Sequence, residues 1–327
     1  MYVKSVVSLL GVMSGVTLAI SSENPFGIWF GLELNVISFI VFLSSTTKNS
    51  TTCETMMKYF LAQTIASFIF LLTMLLSHNK LPTSFITLSM VMKMGGAPFH
   101  FWLLQMIESL PWKQLYLLMT IQKIAPLTIL TYVSNMSQFL LILLSMLSAI
   151  VSSVGNMNEM SFRKLLTFSS ISHIAWMLFS MLLSYTLWIM YFTIYFLTLM
   201  ILVMILSSYQ TYHFSQLILP KFKSHHKLTI LVSMLSLMGM PPMLGFLPKM
   251  LIILYAMKMH LFIWIFILIM ASVITMYYYL RMSITMILLK QPSMPTLTVK
   301  HTKLALLVIT NMMGLISMPL LLPLQLH

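Results

Sequence analysis

The chain has 327 residues, of which 59% are hydrophobic and only 7% charged, and its mean hydropathy is +0.97. A soluble domain carries about 25% charged residues, so a water-facing surface is excluded over most of this molecule and its exterior faces lipid. There is no Asp, and five Glu stand against 18 Lys and Arg for a net charge of +13; in so apolar a chain this is loop charge that orients a membrane protein, not a nucleic-acid footprint.

A lipid-spanning helix needs about 20 apolar residues. Eleven segments qualify in chain order: 3–20, 25–45, 56–77, 84–104, 113–134, 138–154, 163–183, 186–208, 228–258, 260–283 and 304–324. The runs are continuously apolar and lack the alternation of a membrane barrel. The expected fold class is therefore all-α, a single polytopic membrane bundle over 1–327. The first segment, with Lys4, an apolar stretch and Ala19-Ile20-Ser21, has signal-peptide cues. The next apolar run follows at once, so a retained helix is expected.

Two segments carry breaks. Lys93-Met94-Gly95-Gly96-Ala97-Pro98-Phe99-His100 interrupts the fourth, and Gly239 through Lys249, with Pro241, Pro242 and Pro248, interrupts the ninth. Proline removes a backbone donor and clashes with the preceding turn. Broken backbone at membrane depth is tolerated only beside protein or a water-filled cavity. With residues 1–134 as one five-helix repeat and 138–283 as a second, each break falls on the fourth member. Five is odd, so the second repeat would run inverted, the pattern of inverted-repeat transporters. Coincidence between two Pro-containing helices is the alternative. Segment 304–324 is a final helix outside both repeats.

Basic residues sort by side. Lys4 and the loops after even-numbered segments hold Lys48, Lys58, Lys113, Arg163, Lys164, Lys221, Lys223, Lys227, Arg281, Lys290, Lys300 and Lys303, thirteen in all, against Lys80 and Lys258 on the other side. This positive-inside bias puts the N-terminus on the inner face and, for eleven helices, the C-terminus outside.

Three lysines do not fit in loops: Lys93, Lys123 and Lys249. Glu33 joins them, about eight residues and hence roughly 12 Å into the second segment. Burying one such charge costs about 2.5–3.5 kcal/mol on insertion scales, so four of them point to a functional polar axis. Structural ion pairs, or lysines that snorkel to the headgroups, are the alternative, and Lys249 beside its break is the residue best placed to snorkel. A lysine held away from water exchanges its proton more readily than a solvated one, and a nearby carboxylate opposes that effect. A charge moved near Glu33 would load or unload a lysine.

The other polar residues carry weaker signals. His100 and His173 are either proton relays or packed helix residues bonded to a neighbour. Glu54 and Lys58 read as an i, i+4 helix-end pair, and Glu108 and Glu159 as solvated loop residues. Ser169, Ser170 and Ser172 fit close helix packing. Cys53 is the only cysteine, so neither an internal disulfide nor a Cys metal cluster is expected. Asn49-Ser50-Thr51 is a chance sequon, and the loop pair His225-His226 has no third ligand, so no metal is expected. Packing alone does not explain 34 Met. No phosphate loop, dinucleotide fingerprint or nucleophile–base set occurs, and this chain by itself is expected to bind no NADH, flavin or iron–sulfur cluster.

Several blocks in order along the chain resemble the mitochondrially encoded subunit-2 family of the membrane arm of respiratory NADH:ubiquinone oxidoreductase (complex I). They are Gly31-Leu32-Glu33-Leu34-Asn35, Lys58-Tyr59-Phe60-Leu61-Ala62-Gln63, Lys93 through Trp102 (KMGGAPFHFW), Gln122-Lys123-Ile124-Ala125-Pro126, Arg163-Lys164 with Ser169 through His173, and Gly239 through Lys249. The resemblance covers roughly 1–285 and is weak over 209–227. Asn156 and Glu159 stand where the family has Gly and Gln, and Met250 replaces a usual Trp.

The resemblance implies an antiporter-like bundle of inverted five-helix repeats without the three extra N-terminal helices of bacterial relatives. It assigns Glu33 and Lys93 as an interacting acid–lysine pair, Lys123 as central relay and Lys249 as the exit-side group. It implies proton pumping coupled to electron transfer from NADH to ubiquinone, with NADH, FMN, iron–sulfur clusters and ubiquinone bound elsewhere in the complex. The implied partners are other membrane-arm subunits and membrane lipids, with no nucleic acid. The implied location is the mitochondrial inner membrane, N-terminus in the matrix. A mitochondrial code that reads extra codons as Met would account for the Met bias. A stand-alone cation/proton antiporter shares the fold but needs carboxylates for an ion site, and a non-pumping scaffold is a third possibility.

Overall fold

The computed structural model describes residues 2–46, 50–75, 83–218 and 224–288. Among them every element is helical, apart from an isolated antiparallel bridge between Ser161 and His213. Segment 304–324 and the basic residues Lys48, Lys80, Lys221, Lys223, Lys290, Lys300 and Lys303 lie outside the described residues. In lipid each backbone N–H and C=O must be satisfied within its own segment, so a continuous apolar run has the helix as its only open-chain solution. Among the described residues eight helical spans are long and apolar enough to cross a membrane, one of them, Trp112–Val133, combining two consecutive helices.

The chain divides into two compact units, Met1–Ser148 and Ala149–His327. The first contains α1 (Tyr2–Ser21), α2 (Pro25–Thr46), α3 (Ser50–Leu75), α4 (Thr83–Met94), α5 (Phe101–Ile107), α6 (Trp112–Met119) and α7 (Ile121–Val133). α8 (Gln138–Asn156) runs across the boundary. The second contains α9 (Phe162–Leu183), α10 (Tyr185–Tyr209), α11 (Phe214–Ile218), α12 (Ser224–Met238), α13 (Phe246–Lys258) and α14 (Phe262–Leu288).

Each of the first ten expected segments coincides with a helix or a broken helix. The fourth is interrupted between α4 and α5, and the ninth between α12 and α13. Three local expectations change. The fifth segment, expected to be unbroken over 113–134, is split at Thr120 into α6 and α7. α12 begins at Ser224, so His225 and His226 lie in its first turn and not in a loop. The five-residue α11 was not anticipated.

α1 shows how the helices divide lipid from interior. Val3, Val6, Val7, Leu10 and Met13 are exposed at i, i+3, i+4 and i+7 spacing, while Ser8, Val12, Val16 and Ala19 on the other face are buried. The buried face packs on α2. A Cβ on Gly15 would sit 2.7 Å from the backbone N of Asn35, and one on Gly31 2.5 Å from that of Ala19. Hydrogen in place of a side chain lets these two backbones approach, and so fixes the depth of the α2 residues that follow Gly31.

Candidate functional site

In the first unit, α2 supplies Glu33 and Asn35, α3 supplies Tyr59 and Gln63, α4 carries Lys93 in its last turn, and α7 carries Gln122 and Lys123 in its first turn. α4 packs against α3 and α7. Lys93 is 5% exposed and Lys123 1%, so neither side chain snorkels. Glu33 is half-buried and acts electrostatically on both Lys93 and Tyr59. Among the described residues the Lys93 Nζ has no hydrogen-bond partner. Glu33 and Lys93 thus interact through space and not as a contact pair. In a low-dielectric interior such an interaction is strong and long-ranged.

The C-terminus of α4 shows why the chain stops there. Gly95 has φ +73, and its N–H and that of Gly96 return to the carbonyls of Met92 and Val91 at 3.1 and 3.0 Å, a left-handed helix end that a side chain would strain. The Met92 carbonyl also accepts Trp102 Nε1 at 3.2 Å, and the Lys93 carbonyl accepts Gln63 Nε2 at 3.0 Å. His100 is buried in the break, with Nδ1 3.2 Å from the Pro98 carbonyl and its ring 4.3 Å from Phe101.

The split between α6 and α7 follows from Pro126, which lies inside α7. Its ring removes the donor for the Gln122 carbonyl and crowds it. Two residues before Gln122, the Thr120 hydroxyl donates to the Tyr116 carbonyl at 2.7 Å, beside the Thr120 N–H at 3.0 Å, a back-bond of the kind that bends helices. Thr120 adopts φ −117, ψ −75, and Lys123 becomes a first-turn residue of α7 whose N–H donates to the Thr120 carbonyl at 3.1 Å. The signal was Pro126 in the QKIAP block.

A set of neutral polar residues on the same helices bonds from helix to helix beside these charges. Asn35 Nδ2 donates to Gln122 Oε1 at 3.0 Å and Gln122 Nε2 donates to Asn35 Oδ1 at 3.0 Å. Tyr59 Oη donates to the same Gln122 oxygen at 3.4 Å. Reading the sequence for charge missed Asn35, Tyr59, Gln63 and Gln122 as site residues, although Asn35 and Gln122 lie in the blocks that carry Glu33 and Lys123, and Tyr59 and Gln63 in the block Lys58 through Gln63.

In the second unit, α9 packs on α10 and α13. Lys249, in the first turn of α13, is 7% exposed and reaches back across the break. Its Nζ donates to the Met238 carbonyl at 2.6 Å, at the last residue of α12, and lies 5.7 Å from the Trp176 ring. Snorkelling is therefore set aside for this lysine too. Gly239 ends α12 with φ +81, and its N–H and that of Met240 return to the Leu235 carbonyl at 3.1 and 3.2 Å. His173 stands one turn before Trp176 on α9. It is buried, with Nδ1 2.8 Å from Tyr191 Oη and its ring 4.7 Å from Tyr195. Nothing in the sequence signalled Trp176.

Glu54 and Lys58 form the expected i, i+4 ion pair at 2.6 Å, on the surface of α3. The hydroxyls of Ser169, Ser170 and Ser172 turn back onto carbonyls of their own helix, which leaves a smooth flank for packing. Among the described residues no three His, Cys, Asp or Glu come together as a metal site.

A family model described as NADH:quinone oxidoreductase/Mrp antiporter, TM, matches residues 22–84 and 77–275. NADH-ubiquinone oxidoreductase chain 2 of Locusta migratoria is 37% identical over 323 residues, covering 94% of each chain. That of Anopheles gambiae is 37% identical over 292 residues, covering 86% of this chain and 85% of its own. In fold, the chain is similar to one in respiratory complex I from Thermus thermophilus solved with bound aureothin, with TM-score 0.83 and 22% identity over 98% of this chain and 79% of that one. A chain of the Mrp complex from Dietzia sp. DQ12-45-1b gives TM-score 0.76 and 16% identity over 88% and 61%. Identity sustained over nearly the whole length of the insect proteins makes this chain a member of the NADH-ubiquinone oxidoreductase chain 2 family.

Proposed function

We propose that this chain is the proton-translocating membrane subunit of an NADH:ubiquinone oxidoreductase, held in the mitochondrial inner membrane among other membrane-arm subunits with its N-terminus toward the matrix. One observation carries the reading. Three lysines, 5%, 1% and 7% exposed, are kept inside apolar helices, each within one turn of a helix break. Their burial is costly, and packing alone would favour Leu or Met at those positions.

Redox chemistry needs cofactors that this chain does not supply, so NADH, FMN, iron–sulfur clusters and ubiquinone belong to other parts of the complex. The work of that chemistry reaches this subunit as a displaced charge near Glu33. Glu33 acts on Lys93, and a change at the carboxylate alters how firmly Lys93 holds its proton. Lys93 and Lys123 handle protons in the first unit, and Lys249 does so at the α12–α13 break in the second. His100 and His173 are secondary candidates, each bonded in its own surroundings.

A stand-alone cation/proton antiporter is the second reading, favoured by the fold shared with the Mrp chain. Among the described residues of the first unit, Glu33 is the one carboxylate that acts on a buried lysine, which is a poor supply for a metal-cation site. Ion flux through the purified chain in liposomes would favour this second reading.

The direct test is Lys123→Met in the assembled complex. Removing this buried cation relieves about 2.5–3.5 kcal/mol of insertion cost, so assembly is expected to survive. Protons translocated per NADH oxidised are expected to fall. Full stoichiometry in an assembled variant would reject the relay role and favour a scaffold.

A further inference from the structure

The polar residues that carry no charge are not needed for proton binding, yet they lie where the two halves of the first-unit site meet. Asn35 is two residues from Glu33 on α2. Gln122 immediately precedes Lys123 on α7. Their amides exchange two hydrogen bonds, both 3.0 Å long. Asn35 is buried, and its backbone is pinned by the close approach of Gly15. The Gln122 oxygen uses its second acceptor position for the buried Tyr59 hydroxyl at 3.4 Å, and Tyr59 itself feels Glu33.

We propose that the Asn35–Gln122 amide bridge, steadied by Tyr59, is the positioning element that sets Lys123 relative to Glu33, so that a displaced charge on α2 is felt on α7. The inference rests on the proton-translocation reading above and assigns a role to residues that do not themselves titrate.

Three physical points support it. First, an amide pair that exchanges both bonds is self-complementary and directional, so it fixes the rotation of each helix as well as the distance between them. Second, it carries no net charge. Two amides bonded head to tail have largely opposed dipoles, so their field at Glu33 or Lys123 is small beside that of an ion pair at the same place, which would swamp the signal. Third, α7 needs such a restraint. It starts at a break, and Pro126 withholds the backbone donor of the turn that carries Lys123. A first-turn residue of a split helix has little of its own ladder to hold it, and the bond from Gln122 to α2 replaces that restraint.

The bridge also makes a prediction that a plain packing role does not. Asn and Gln differ by one methylene, and exchanging them conserves the total reach. The Asn35→Gln/Gln122→Asn double swap therefore retains the bridge, while Gln122→Leu and Asn35→Leu abolish it at similar volume.

The experiment is proton translocation per NADH oxidised, measured with each variant in the assembled respiratory complex and beside Lys123→Met. The proposal expects Gln122→Leu and Asn35→Leu each to lower the ratio, the double leucine variant to be no worse than either, and the swap to recover at least half of the loss. It is overturned if a single leucine variant assembles and translocates at the full ratio. It is equally overturned if the swap does no better than the single variants. Should the leucine variants fail to assemble, the swap decides alone: assembly with full stoichiometry supports the bridge, and failure of the swap to assemble or to pump overturns it. If Lys123→Met pumps normally, the underlying relay reading has failed. If Lys123→Met loses pumping while Gln122→Leu does not, only the positioning role has failed.

Discussion

Lys249 offers a perturbation in which two roles of one side chain come apart. Its ammonium closes the end of α12 through the 2.6 Å bond to the Met238 carbonyl. A hydrogen bond from a charged donor contributes about 1.5–3 kcal/mol, and a cation at a helix C-terminus about 0.3–1 kcal/mol more. Against this stands the insertion cost of a buried cation, about 2.5–3.5 kcal/mol. The opposing sums nearly cancel. Lys249→Met is therefore expected to change assembly by about 1 kcal/mol or less, which is roughly a factor of five in a folded ratio. Its effect on transport is expected to be far larger. Lys249→Arg separates the roles, because a guanidinium donates to the carbonyl as well as an ammonium does but does not release its proton. In inner-membrane vesicles with NADH as donor, both assembled variants are expected to translocate fewer protons per NADH than the wild type. An assembled Lys249→Arg complex with full stoichiometry would refute the relay role and leave only the cap.

Two further outcomes follow from the same geometry. At Gly239, alanine would hold a left-handed φ of +81 with its Cβ 2.9 Å from the Gly245 carbonyl oxygen and 3.2 Å from Lys249 Cδ. The backbone term alone is about 1–2 kcal/mol, so Gly239→Ala is expected to reduce assembled complex on native gels by tenfold or more, and wild-type yield would count against the tight break. Tyr191→Phe removes the 2.8 Å bond to His173, at about 0.5–1.5 kcal/mol for one hydrogen bond. Faster thermal inactivation of NADH:ubiquinone activity is expected, with the proton ratio unchanged.

The helices were legible because lipid leaves a continuous apolar run no alternative, and the breaks were legible because Gly and Pro punctuate two of those runs. Glu33, Lys93, Lys123 and Lys249 could be found one at a time, since each is a charge in a place that penalises charge. The amide pairing beside Glu33 and Lys123 was hidden for the converse reason. Asn35 and Gln122 are inexpensive enough in a helix to attract no notice, and only a long-range pairing gives them meaning. The split at Thr120 was missed because a single internal proline more often kinks a membrane helix than divides it, and the Thr120 hydroxyl back-bond depends on a rotamer that no spacing reveals. Lys249 was the lysine assigned most readily to the headgroups. Its interior position follows from the carbonyl that the break leaves open to it.

The two interrupted helices end alike in backbone and differently in what completes them. At the end of α4 the spare carbonyls go to Gln63 and Trp102, groups whose donor capacity is the same at every stage of a turnover. At the end of α12 the carbonyl goes to an amine that gains and loses a proton in the proposed cycle. The α4 terminus is therefore a permanent joint. In that proposed cycle the α12 terminus would be a conditional one, its grip slackening with Lys249 neutral and tightening when it is recharged, so that the local geometry of the break would keep a record of where the proton is.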